Sequence, residues 1–211
     1  MRNLRYQTTL GLIIFCLVNF AHAELIYGFN KVSVGHDLKT LVEFDQDDFK
    51  NFPKNADLKL RVLDNNKIIR EDAILKIGSD WVWNKVLPFS KDLKFLILKD
   101  GKPISTEYLA DTKSALQFSE NKQSLLPPFR GIHYLPAIPI TQNNQKKRLP
   151  IDTKDLKNCK DKVLVVVFDK ESNILLWQRY GVLELMTDEI ELSKDMQPTI
   201  AVVTDDGSCG K

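Results

Sequence analysis

The sequence predicts an all-β chain with at most one or two short helices: an antiparallel β-sandwich of immunoglobulin-like size, with a C-terminal β block docked on it. Three observations carry this. Two hairpin signals fall within the first half of the chain, Asp64-Asn65-Asn66 and Asp100-Gly101, each after a run of alternating residues. Trp81 and Trp83 stand two apart, which puts both indoles on one face of a strand. Val163 to Phe168 is a run of six apolar residues, the pattern of a strand covered on both faces.

The elements follow in order. Residues 24–45 supply two strands around Gly35. Leu58, Leu60 and Val62 alternate with Lys59, Arg61 and Leu63 before the asparagine turn, and residues 92–110 repeat the device around Asp100-Gly101. After the apolar run comes a turn at Asp169 to Asn173, then a strand carrying Trp177 and another over Pro198 to Asp205. The stretch between them, TDEIELSKDMQ, reads either as a short helix with capping-box spacing or as a polar edge strand. The expected organisation is a signal peptide over 1–23, an N-terminal sandwich over 24–118, an extended proline-containing connector over 119–150 and a C-terminal β block over 151–211. A strand as apolar as Val163 to Phe168 needs cover that 60 residues struggle to supply alone, so the second block should dock on the first.

The N-terminus predicts export. Arg2 and Arg5 precede the apolar core Leu10 to Val18, and Ala21 and Ala23 suit cleavage after Ala23. Ile14 and Phe15 before Cys16 argue against lipidation. No later apolar run approaches the length of a span, so no integral membrane segment is expected after cleavage. Removing Arg2 and Arg5 from 30 basic residues leaves 28 against 28 acidic ones, a balance with no electrostatic footprint for nucleic acid. Two cysteines remain, Cys159 and Cys209, and in an oxidising compartment they predict one disulfide. The expected location is the periplasm or the extracellular space.

Signals for chemistry are sparse. Cleavage leaves His36 and His133, with no short-spaced metal-ligand neighbour, nucleophile elbow or phosphate loop, so no catalytic residue, metal or cofactor is assigned. His36 reads as a polar turn residue. Glu43, Asp45, Asp47 and Asp48 cluster, and strand alternation would set Glu43 beside Asp45; a solvated acidic turn explains them better than a calcium loop or a glycosidase pair. Lys146-Lys147-Arg148 reads as a solvated loop.

The passage from Leu125 to Ile140 holds four prolines and almost no charge. Its prolines exclude a central strand there. It reads as an extended strap over the seam of the two blocks, with Phe129, Ile132, Tyr134 and Ile138 inward, or as a partner-binding ridge edged by Phe129, Arg130, His133 and Tyr134. The leading functional reading is therefore a non-enzymatic exported protein that binds another envelope or secreted protein, in assembly of a surface or secretion structure. A glycan or peptide hydrolase of the envelope and a carbohydrate-binding module stacking sugars on Trp81 and Trp83 are the alternatives.

Overall fold

The computed structural model describes residues 28–117, 130–142, 146–152, 156, 159, 161–172, 174–183, 187–206 and 209. These residues are nearly all β, with antiparallel pairing throughout and two short helices. The expected signal peptide over 1–23 and Phe129 lie outside the described residues.

The first block opens with β1 (Phe29–Val34), β2 (Thr40–Phe44) and the one-turn helix α1 (Gln46–Phe49). Asp45, in the acidic cluster read as a solvated turn, does not continue the strand beside Glu43 but caps this helix, its carboxylate accepting the N–H of Asp47 at 2.9 Å. Then come β3 (Leu58–Asp64), β4 (Lys67–Ala73), β5 (Leu75–Ile77), β6 (Asp80–Lys85), β7 (Leu93–Lys99), β8 (Lys102–Pro103), β9 (Tyr108–Ala110) and α2 (Thr112–Gln117). Both expected hairpins form with two-residue turns, Asn65-Asn66 and Asp100-Gly101, whose four φ angles are positive as a type I′ turn demands.

Two sheets result, ordered β1-β2-β6-β5 and β4-β3-β7-β8, with β9 also on β7. One core joins their inner faces. Phe29, Val42, Phe44, Trp81 and Trp83 come from the first sheet, and Leu58, Leu60, Val62, Leu93, Phe95 and Ile97 from the second. The sequence alternation thus sorts into core and surface as expected.

The second block holds β10 (Ile132–Leu135), β11 (Ile140–Gln142), β12 (Lys146–Asp152), β13 (Lys162–Asp169), β14 (Leu175–Val182), β15 (Thr187–Ser193) and β16 (Pro198–Val203). Of the two readings of TDEIELSKDMQ, the strand is the one formed: β15 pairs with β12 from Thr187 to Ser193. Lys146-Lys147-Arg148, expected as a loop, opens β12, and Arg148 lies 3.6 Å from Glu189 and 3.8 Å from Glu191 on β15. Pro150 is tolerated inside β12 because it lies past the end of β11, where among the described residues only β15 pairs with it.

The sheet β10-β16-β13-β14 is a middle layer. Leu164, Val166, Phe168, Ala201 and Val203 pack with Leu38, Val86 and Phe89 of the first block. Val163, Val165, Val167, Ile200 and Val202 pack with Leu149, Ile151, Ile190 and Leu192 from β12 and β15. The six residues of the apolar run are each at most 3% exposed, so they have the expected cover on two faces. Each contributes roughly 2 kcal/mol of burial.

Candidate functional site: the edges of the middle sheet

The seam between the blocks is held by side chains from both. Arg70 on β4 donates through Nε to Asp72, and through Nη1 to the Val86 carbonyl at 3.2 Å. Its other contacts are with Asp205, which follows β16. The Asp205 carboxylate also accepts the Val86 N–H at 2.7 Å and lies 3.5 Å from the Lys85 ammonium. Burial works against a charged Arg70, but the hydrogen bond to Asp72 and the charge of Asp205 outweigh it and raise the guanidinium pKa. The Tyr180 phenol beside this cluster is pushed above its ordinary value, chiefly by burial. A second lock is the Gln178 amide of β14, which accepts the Phe89 N–H at 2.8 Å and donates to the Phe89 carbonyl at 2.7 Å, as a neighbouring strand would.

The proline passage enters this seam. Arg130 donates through Nε to the Asp206 carbonyl at 2.9 Å, and its own carbonyl accepts from the buried Lys39 ammonium at 3.4 Å. Gly131 has φ +93°, and a Cβ there would stand 2.5 Å from the Thr204 carbonyl oxygen, so the position requires glycine. Ile132 is buried, and Tyr134 packs half-buried against the core shared by both blocks, its phenol pKa raised by burial. His133 lies half-buried on the other face of β10, its Nε2 shielded from solvent without a hydrogen-bond partner among the described residues. Ile138, expected inward, is 64% exposed, because the chain leaves the sheet at Pro136 before reaching it.

The other candidates sort plainly. Trp81 and Trp83 are each 2% exposed in the first core, so neither offers a ring face to a sugar. Gln46 holds Trp81 in place, accepting its N–H at 3.2 Å. His36 sits in the turn between β1 and β2. Glu43 faces outward on β2, and Asp48 accepts the Gly28 N–H at 2.8 Å. Among the described residues, no three His, Cys, Asp or Glu side chains converge as a metal site. Cys159 and Cys209 form the predicted disulfide, inside the core beneath the middle sheet.

What remains open is the border of the middle sheet. Val163 to Phe168 of its inner strand β13 are buried, as are the last four residues of β16. Its outer strand β14 is not: Leu175, Leu176, Trp177, Gln178 and Tyr180 are all half-buried, and Val182 is 41% exposed. Leu175 and Tyr180 belong to the core facing the first block, and Leu176 and Trp177 to the core facing β12 and β15. So β14 carries apolar side chains on both faces, beside the polar Gln178 and Arg179, and both faces are partly open along its edge. Ile174, just before it, is 58% exposed. Among the described residues β14 pairs only with β13, and β10 at the opposite border pairs only with β16.

No sequence profile of a known protein family matches the chain, and neither does any curated protein sequence. No helix among the described residues is long and apolar enough to cross a membrane.

Proposed function

We propose that this is an exported, non-enzymatic protein that binds another envelope or secreted protein by taking an extended segment of it as an added strand of the middle sheet. The observation that supports this most is the half-exposure of both faces of β14 beside the buried Val163 to Phe168 of β13. A sheet edge offers unpaired backbone donors and acceptors, and long apolar edges of this kind invite strand addition. Of the two borders, β14 has eight residues and β10 four, and the chain after β10 runs into Pro136.

The ridge of Phe129, Arg130, His133 and Tyr134 enters this proposal as a second contact, with the exposed Ile138 beside it. Export to the periplasm or beyond is supported by the buried Cys159–Cys209 disulfide together with the apolar N-terminal segment. A partner bound by strand addition suits a role in assembling a surface or secretion structure. In this account the first block and the second, which begins at β10, move together, fastened by Arg70, Asp205 and Gln178.

The test is co-purification from the native envelope with wild-type protein and with an Ile174→Glu, Val182→Glu variant, both side chains being exposed and so replaceable without disturbing the core. The wild type should retain a stoichiometric partner and the variant should lose it. A monomer that binds nothing and degrades envelope polymer would overturn the reading.

A further inference from the structure

We propose that the Cys159–Cys209 disulfide is a redox-sensitive clasp on the seam between the blocks, and that a dithiol reductant loosens the seam by opening it. Thr204, Asp205 and Asp206 follow β16, and each holds a group of the first block or of the entry to β10. Thr204 donates its N–H to the Gly131 carbonyl at 2.7 Å, and the Asp206 carbonyl accepts from Arg130 at 2.9 Å. Asp205 reaches the first block itself, through Arg70, the Val86 N–H and the Lys85 ammonium. Cys209 lies on the other side of the middle sheet. It is 1% exposed, in the core with Leu149, Ile151 and Ile190 of β12 and β15.

The chain after β16 therefore ties three layers together, with Asp205 on the first block's side and Cys209 on the side of β12 and β15. Between Val203 and Cys209 the sequence holds no aliphatic or aromatic side chain, so hydrophobic burial does not keep this segment in place. Its covalent fixed points are β16 at one end and the bond to Cys159 at the other. A segment held at both ends samples few conformations, whereas one held at a single end regains backbone freedom, and that entropy favours release of Asp205. Opening the bond is a two-electron exchange. A thiolate of the dithiol attacks the Cys159 sulfur, 8% exposed against 1% for Cys209, and the S–S electron pair leaves with Cys209. The second thiol of the reductant then displaces Cys159 and closes the reductant's own disulfide, and its two protons end on the two cysteines. The Gln178 lock takes no part, since its bonds to Phe89 run from β14 to the first block without the segment after β16. The seam thus has one lock that depends on the disulfide and one that does not.

Amide hydrogen exchange on the mature chain, oxidised and after reduction with dithiothreitol, tests this. In the reduced protein the Val86 N–H should exchange at least about tenfold faster, while the Phe89 N–H keeps its protection. A rise by the same factor at both amides would show general destabilisation, and an unchanged Val86 would show Asp205 held without the disulfide; either result overturns the proposal. Asp205→Asn supplies a second readout in urea unfolding. The factor by which it raises the unfolding constant should be at least about fivefold smaller in the reduced protein than in the oxidised one. Equal factors would overturn the coupling. So would a chain that unfolds on reduction, because the disulfide would then be a condition of the fold and not a clasp on the seam.

Discussion

Asp205 accepts the backbone N–H of Val86 at 2.7 Å, and the same carboxylate holds the Arg70 guanidinium, so one side chain fastens the end of β16 to two strands' worth of the first block. The Arg70 and Asp205 side chains are only 11% and 9% exposed, which makes this a buried pair. Removing one partner of such a pair strands the other's charge. Asp205→Ala should therefore lower stability by about 3 kcal/mol, measured by urea unfolding. A loss below about 1 kcal/mol, the scale of a surface pair, would mean the seam is not held here.

Gly131→Ala should destabilise through backbone strain and contact with the Thr204 carbonyl at once. We expect a loss of about 2 kcal/mol in denaturant titrations. An unchanged midpoint would show that β10 enters the seam by another route.

The mature oxidised protein should contain no free thiol. Cys159 and Cys209 are 50 residues apart, and a cross-link closing a loop of that size stabilises by about 4 kcal/mol in the chain-entropy model. A Cys159→Ser, Cys209→Ser variant should show a loss of that order against the oxidised wild type, and two reactive thiols in the native protein would remove the basis of the prediction.

Alkaline pH should weaken the fold through Tyr180. Its folded-state pKa is raised, mainly by burial, with the Arg70 charge opposing. A group raised in this way contributes stability that is complete below the unfolded phenol pKa of about 10 and disappears as pH climbs through the folded value. Tyr180→Phe should accordingly show a flatter decline in urea midpoint over that range than the wild type. Parallel declines would place the alkaline sensitivity elsewhere.

Trp81→Ala should lower stability by about 4 kcal/mol, since the side chain is 2% exposed in the core of the first block. Soluble glycans should leave the fluorescence of Trp81 and Trp83 unchanged, and quenching of either would revive a sugar-stacking surface.

Much of this fold is local and therefore legible in the residues. Asn65-Asn66 and Asp100-Gly101 carry their turn geometry with them, and the alternation of Leu58, Leu60 and Val62 sets a face without reference to distant chain. Asp45 fits the acidic turn expected of its cluster, and the cap it supplies to α1 depends on where β2 ends at Phe44. The edge character of β14 is a different matter. Its residues read as core, and only the strand order, with β16 returning between β10 and β13, leaves β14 at a border. Gln178, Arg70 and Asp205 were silent for the same reason: their partners lie 89 or more residues away in the chain, or across a seam that no spacing encodes. The proline passage shows both sides. Its prolines exclude a central strand, and β10 is indeed a border strand, but whether Ile138 faces core or water depends on where the chain leaves the sheet.

The central claim, that a partner strand adds to β14, is tested most directly by amide hydrogen exchange across Leu175–Val182 in the free protein and in its native complex. The account predicts that the β14 amides pointing away from β13 exchange freely alone and become protected in the complex, while the amides of β13 stay protected in both. A complex that leaves exchange along β14 unchanged would contradict it.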